Sequence, residues 1–362
     1  MPSFVVATQP RPYPVLVAPG ALERLAEHLP EGAGKVFVVT TADVWQLHGR
    51  RIEAPLAGRS YEVLLFPGGE DRKRLSELEA LAEQMATRGG DRTSVVVAFG
   101  GGIVSDLGGF LAATFMRGVP VIQAPTTLLA QVDAGVGGKT GVNLAAGKNL
   151  VGAFHQPLAV LIDPEVLTTL PEREYRAGLY EVLKTGVIRS EPLFRLMVEH
   201  RDRILALDQD VVTDIVARSV AIKAEVVSAD ERESGLRRIL NFGHTLGHAL
   251  EAETGYARLL HGEAVAYGMR AATHLAHRAG YLAGADRDEI LRAITMYGPI
   301  PSLEGISAAN LVARLARDKK TVHGRIHFVL PVRIGEVKVV SGLDEALVLE
   351  AAQTALDEVA AA

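Results

Sequence analysis

Two short apolar runs rich in β-branched residues, Val36 to Thr40 and Val95 to Phe99, interrupt a first third in which apolar positions otherwise recur at helical spacing, as from Leu75 to Arg88. Each run ends in turn-forming residues, and such alternation predicts βαβ units and a parallel sheet. Further strands are predicted at Val119 to Gln123 and at Val160 to Ile162, the latter closing on Asp163 and Pro164. From Pro171 to about His277 the period becomes helical, with Ala, Leu, Glu and Arg prominent and few strand signals. One later exception, Arg325 to Val340, has two β-rich runs flanking Ile334, Gly335 and Glu336, the pattern of a hairpin. The expectation is an α/β chain: a Rossmann-like α/β domain over residues 1–170, then a mainly α-helical domain with a small β-hairpin over 171–362. A cleft between two domains is a favoured place for a ligand.

Composition narrows this picture. A chain of 362 residues exceeds the size at which one core keeps growing, in keeping with two domains. It has no apolar run long enough to cross a bilayer, so no membrane partner is expected. Met1 to Thr8 lacks a basic flank followed by a long apolar stretch, which makes the cytoplasm the expected compartment. The absence of cysteine excludes disulfides and thiolate metal sites, leaving histidine and carboxylates as the strong metal ligands. With 38 basic against 43 acidic residues there is no positive excess for a nucleic-acid backbone. Basic residues gathered in one place would instead serve a small anion.

The strand at Val95 to Phe99 runs into Gly100, Gly101 and Gly102 before a predicted helix. Glycines let backbone N–H groups approach a pyrophosphate where a helix N-terminus supplies positive potential. Ser105 stands where the dinucleotide fingerprint has its third glycine. A second cluster, Asp133 to Asn143, contains the Gly138, Lys139, Thr140 ending of a P-loop, but Asp133 occupies the position of that motif's first glycine. A glycine-rich turn carrying a working lysine and aspartate is the reading left open.

Farther on, His244 and His248 are four apart and share a face if helical. His261 follows a short polar loop, with Glu263 close behind. Spacing does not decide which of His244, His248, Glu251, His261 and Glu263 bind metal. Two histidines, one glutamate and open positions would make a catalytic zinc geometry. His274 and His277, on what reads as an outward helix face, are taken as structural.

Taken together, the motifs closely resemble the 3-dehydroquinate synthase family, from about Phe66 to the C-terminus. The ordered blocks are PGGEDRK from Pro67, GGGIVSD from Gly100, PTTLLAQVDAGVGGKTGVN from Pro125, GKNLVGAFHQP from Gly147, TLPEREYRAGLYEVLKTG from Thr169, RRILNFGHTLGHALE from Arg237, HGEAVAYGM from His261 and DKK from Asp318. The chain departs from the family pattern at Ser105, Ala134, Gly135 and Tyr180, each beside a functional residue rather than in its place. The resemblance implies Glu181, His244 and His261 as ligands of Zn2+ or Co2+. It implies bound NAD contacted by Gly69, Glu70, Lys73, Gly101, Gly102, Asp106, Thr126, Thr127, Lys139, Lys148 and Thr169.

It further implies a substrate cluster of Asp133, Lys139, Lys184, Lys223, Glu233, Arg237, Asn241 and His248, completed by Arg117, Asn149 and one or both of Lys319 and Lys320. Among these, Arg117, Lys139, Asn149, His248 and the late lysines suit a phosphate, and Lys184, Lys223 and Arg237 the carboxylate and hydroxyl end. The family's reaction turns 3-deoxy-D-arabino-heptulosonate 7-phosphate into 3-dehydroquinate and phosphate: transient oxidation, phosphate elimination, reduction, ring opening and intramolecular aldol closure. This is the second step of the shikimate pathway, and the family is usually homodimeric. Three rivals are a metal-dependent polyol dehydrogenase, a related sugar-phosphate cyclase and a nucleotide-binding module without catalysis.

Overall fold

Val36, Phe37, Val38 and Val39 are all fully buried, as are Val95 to Phe99, so these runs have no solvated face. Strands covered on both sides belong inside a parallel sheet flanked by helices. The computed structural model, which describes residues 2–9, 11–318 and 326–361, places them there. Seven strands, β1 (Ser3–Val6), β2 (Tyr13–Val17), β3 (Val36–Thr40), β4 (Tyr61–Leu65), β5 (Val95–Gly100), β6 (Val121–Pro125) and β9 (Ala159–Ile162), line up as β1-β2-β9-β6-β5-β3-β4. Only the β1–β2 pair is antiparallel; the other pairings are parallel.

Successive residues of β3 and β5 face opposite sides. Phe37, Val39, Val96 and Ala98 join one core with α3 (Leu75–Thr87) and α4 (Gly102–Thr114), while Val36, Val38, Val95 and Val97 join a second with Leu22 and Leu25. Two shorter helices, α1 (Ala42–His48) and α2 (Arg50–Glu53), lie between β3 and β4. The chain leaves β3 for β4 on one side and returns to β5 on the other, so the strand order reverses between β3 and β5. The carboxyl ends of strands at such a reversal are where doubly wound sheets bind ligands.

The Gly138, Lys139, Thr140 stretch does not open a helix, as a P-loop would; in keeping with the glycine-rich turn left open by the sequence, it leads into a hairpin of β7 (Lys139–Leu144) and β8 (Gly147–Phe154). The strand expected from Val119 begins at Val121, after Pro120, and ends at Pro125.

Compactness divides the chain into Met1–Pro171 with Val212–Glu231, and Glu172–Val211 with Arg232–Ala362. The stretch Val212–Glu231, inside the segment expected as the second domain, thus groups with the sheet. It is most of α8 (Gln209–Ala229). The second unit contains α5 (Glu172–Arg189), α6 (Glu191–Glu199), α7 (Arg201–Leu205), α9 (His244–Glu253), α10 (His261–Arg278), α11 (Gly284–Met296), α12 (Ala308–Asp318) and α13 (Glu345–Ala361). It also holds the hairpin of β10 (His327–Arg333) and β11 (Glu336–Ser341) that the sequence predicts around Gly335.

Helix α10 is the axis of this unit: Gly262 through Ala276 are all buried, and α5, α9, α13 and β10 pack around it. Glycine permits the closest approaches. A Cβ on Gly268 would overlap Gly243 O, one on Gly247 would lie 2.9 Å from Ala264 O, and one on Gly262 would overlap Ala177 O. Contrary to expectation, His274 does not face outward: it is buried and meets Glu358 Oε1 at 2.9 Å. A helix packed on several sides has no outward face at that position. His277 Nδ1 donates to Leu282 O at 2.9 Å, a structural contact.

Candidate active site

Two groups of chemistry-bearing side chains are built, one in each unit. In the sheet-containing unit the glycine turn joins β5 to α4, with Gly101 as the residue before the helix and Thr126 N donating to Gly100 O at 2.9 Å. Gly100 pairs with Pro125 in register, which brings Thr127 beside Gly101, where an added Cβ would be 3.0 Å from Thr127 Cγ2. Backbone N–H groups of the first helical turn are thus left at the sheet's carboxyl edge, the usual setting for an anion. The small residues for tight helix packing come later than the fingerprint position: Gly108 lies over Ala98 and Gly109 over Thr140, while Ser105 is buried and its carbonyl accepts from Gln123 Nε2 at 3.1 Å.

Beside this turn, Lys73 Nζ meets Asp106 Oδ2 at 2.6 Å and Glu70 Oε1 at 3.8 Å, and Lys148 Nζ lies 4.0 Å from the same Glu70 oxygen. Loss of hydration pushes the Asp106 carboxyl up, and Lys73 opposes that shift. Asn143 ties the group together. Its Nδ2 donates to Glu70 Oε1 at 2.7 Å and its Oδ1 accepts from Asn149 N at 2.9 Å. In the sequence Asn143 stands at the end of the glycine-rich cluster from Asp133 and of the block from Pro125, with no role assigned to it. Thr169 Oγ1 donates to Val166 O at 3.1 Å, so it accepts from His48 Nε2 at 2.7 Å. Burial, then the Arg51 charge, lowers the pKa of His48. Asp133, in a turn of π-helix ahead of β7, is ion-paired with Lys223 of α8. Lys139 is exposed at the start of β7, and Gly69 has φ 89°.

The helical unit holds the second group. Glu181 and Lys184, one turn apart on α5, are 1% and 2% exposed and form an ion pair. Neither carboxylate oxygen of Glu181 accepts a geometrically sound hydrogen bond. One of them, Oε1, lies 3.9 Å from His244 Nε2 and 3.8 Å from His261 Nε2. His244 opens α9 and His261 opens α10. The Gly262–Ala177 approach brings the start of α10 against the α5 turn that carries Glu181.

The histidines present both ring nitrogens usefully. His244 Nδ1 donates to Phe242 O at 3.1 Å, and His261 Nδ1 faces Glu251 Oε2 at 3.4 Å. His248 joins them: nitrogen atoms of His244, His248 and His261 lie within 4.8 Å of one another. Burial, then Lys184 and the neighbouring histidines, holds His244 well below the ordinary imidazole pKa, which keeps it neutral and able to ligate. Tetrahedral zinc with bonds of about 2.0–2.1 Å spaces its ligand atoms by roughly 3.3 Å, a small contraction from what is seen. The donor set therefore fits a divalent cation, which would take up Glu181 Oε1 while Lys184 stands on Oε2.

Glu263 is occupied elsewhere, accepting from Arg173 Nε at 2.7 Å and Leu260 N at 2.8 Å. Asn241 Nδ2 donates to Glu233 Oε1 at 2.7 Å, and Arg237 is buried. Lys319 and Lys320 lie outside the described residues. Arg117, Asn149 and Glu233 have φ of 70°, 56° and 60°, three of the six non-glycine residues with positive φ among the described residues.

Family models described as 3-dehydroquinate synthase N-terminal and 3-dehydroquinate synthase C-terminal match residues 63–177 and 178–321. A 3-dehydroquinate synthase of Solibacter usitatus is 62% identical over 356 residues, covering 98% of this chain and 100% of that protein. Among solved structures, the 2-epi-5-epi-valiolone synthase ValA of Streptomyces hygroscopicus subsp. jinggangensis, with NAD+ and Zn2+ bound, superposes with a TM-score of 0.87 at 30% identity, covering 98% of this chain and 99% of that one. A 2-deoxy-scyllo-inosose synthase complexed with carbaglucose-6-phosphate, NAD+ and Co2+ gives 0.85 at 24% identity, covering 97% and 99%, a likeness of fold.

Proposed function

Since the chain belongs to the 3-dehydroquinate synthase family, whose lyase reaction converts 3-deoxy-D-arabino-heptulosonate 7-phosphate into 3-dehydroquinate and phosphate, we propose that its own residues divide that task as follows. Glu181, His244 and His261 hold the divalent cation, Zn2+ or Co2+. The observation that carries this is the buried Glu181 carboxylate, without a sound hydrogen bond, facing the Nε2 atoms of both histidines. A bound cation there supplies Lewis acidity to the substrate's vicinal hydroxyls, and bound NAD supplies a hydride acceptor that gives the hydride back.

Lys184, on the Glu181 carboxylate, places a positive charge where a substrate hydroxyl loses its proton. His248, exposed beside the two ligand rings, stays off the cation and moves protons at the phosphate end. Asn241 and Glu233 orient hydroxyls as a hydrogen-bonded pair, with buried Arg237 for the carboxylate. In the sheet-containing unit Asp133 and Lys223 act as a pair, while Arg117, Lys139 and Asn149 take phosphate oxygens. Positive φ at Arg117, Asn149 and Glu233 supports this: a non-glycine residue there costs about 1–3 kcal/mol, and such strain clusters at binding sites.

The glycine turn and the Lys73, Asp106, Glu70 and Lys148 group hold the dinucleotide, with Gly69, Gly102, Thr126, Thr127 and Thr169. No described helix is long and apolar enough to cross a membrane. A cytoplasmic, homodimeric enzyme remains the proposal.

Metal analysis tests the ligand assignment. His261→Ala should lose both metal and activity. His248→Ala should keep about one metal per chain while turning over slowly. Full metal in His261→Ala, or loss of it in His248→Ala, would reverse the assignment.

A further inference from the structure

We infer that Glu251 is the positioning residue of the metal centre, fixing the tautomer and orientation of the His261 ring; this rests on Glu181, His244 and His261 being the ligands. Spacing alone leaves Glu251 in the pool of ligands. The geometry removes it, because Glu251 Oε2 faces His261 Nδ1 at 3.4 Å whereas Glu181 Oε1 faces Nε2 of the same ring at 3.8 Å. The two carboxylates stand on opposite nitrogens of one imidazole.

The neighbouring histidine is arranged alike. His244 Nδ1 points to Phe242 O at 3.1 Å, and a carbonyl oxygen only accepts, so the proton of neutral His244 is on Nδ1 and its Nε2 lone pair faces the same Glu181 oxygen. For His261 the acceptor is a carboxylate rather than a carbonyl. An oxygen acceptor on the far nitrogen fixes the tautomer and raises the basicity of the ligating nitrogen.

Glu251 is 3% exposed, a costly place for a carboxylate without a directed partner. Its position follows from the helices. It lies seven residues after His244 on α9, two turns along the same face. The glycine contacts Gly247–Ala264 and Gly268–Gly243 draw α9 against α10, which starts at His261.

The test compares Glu251→Gln, which keeps an oxygen acceptor, with Glu251→Met, which keeps bulk without one. Co2+ and Zn2+ affinities are measured by chelator competition, together with the visible spectrum of bound Co2+. Glu251→Met should bind about 10–100-fold more weakly with an altered Co2+ spectrum, and Glu251→Gln should recover most of the loss. Equal weakening in both variants, or none in either, overturns the inference.

Imidazole proton–nitrogen NMR of the zinc-loaded wild-type protein decides it even if a variant fails to fold. His261 should carry its proton on Nδ1; a proton on Nε2, with Nδ1 on the metal, overturns the inference. His261→Ala runs alongside: metal retained there refutes the ligand set itself, an outcome distinct from any result with the Glu251 variants.

Discussion

Gly262→Ala tests the proposed metal centre without replacing any residue proposed as a ligand. The new Cβ would lie 2.6 Å from the carbonyl carbon and 3.0 Å from the Cα of Ala177, with the carbonyl oxygen nearer still. Carbon atoms pack best at about 3.5–4.0 Å, so the first turn of α10 must retreat from α5 by about 1 Å. The obstacle is backbone and cannot rotate away. Ala favours the helix over Gly by about 0.8–1.0 kcal/mol, and overpacking of this kind costs about 1–3 kcal/mol, for a net loss of about 0–2 kcal/mol.

The local consequence is larger than the global one. His261 is the residue before Gly262, and its Nε2 stands 3.8 Å from Glu181 Oε1. A retreat of about 1 Å moves this further from the roughly 3.3 Å that tetrahedral zinc asks of its ligands, while such sites tolerate only about 0.2 Å in bond length. Urea unfolding should show a folded protein of modestly reduced stability, and chelator competition a zinc affinity at least 100-fold weaker. Wild-type zinc affinity in a protein carrying this substitution would refute the account of how α5 and α10 build the centre.

Other consequences are as direct. Lys73→Met removes the partner of Asp106 and should weaken NAD binding about tenfold or more by calorimetry while leaving zinc affinity unchanged; unchanged NAD affinity would remove Lys73 from the cofactor site. Asp133→Asn and Lys223→Met should each lower kcat/KM, and the double variant should lose far less than the sum if the pair acts as a unit, a double-mutant cycle being the measurement. His48 has a pKa depressed below its unfolded value, so below about pH 6.5 the unfolded chain takes up the proton more readily and stability falls with falling pH. His48→Gln should flatten the fall in Tm between pH 7 and 5 relative to wild type, and an unchanged slope would contradict that reading.

Local pattern carried the central strands. Val36–Thr40 is found where its β-branched run predicts it, since a strand buried on both faces needs a continuous apolar run. The hairpin around Gly335 was equally legible. The β7–β8 hairpin was not, because the stretch from Asp133 to Asn143 reads as a glycine-rich turn, and its strand pairing, such as Lys139 with Phe154, shows only in the structure.

The cluster of His244, His248 and His261 was visible in part as spacing. Glu181 was reachable only through resemblance, since it lies on α5, far off in sequence, and joins the histidines through the approach of Gly262 to Ala177. His274 was misplaced on an outward face because helical periodicity reveals an apolar face but not a second layer, here α13, covering the polar one.

The most direct test of the whole account is turnover. Purified protein given the heptulosonate phosphate, Zn2+ and NAD at a small fraction of the substrate concentration should release phosphate and form 3-dehydroquinate in equal amounts, with no build-up of NADH and with loss of both products on chelation. Steady accumulation of NADH, or absence of both products with metal and NAD supplied, would contradict it.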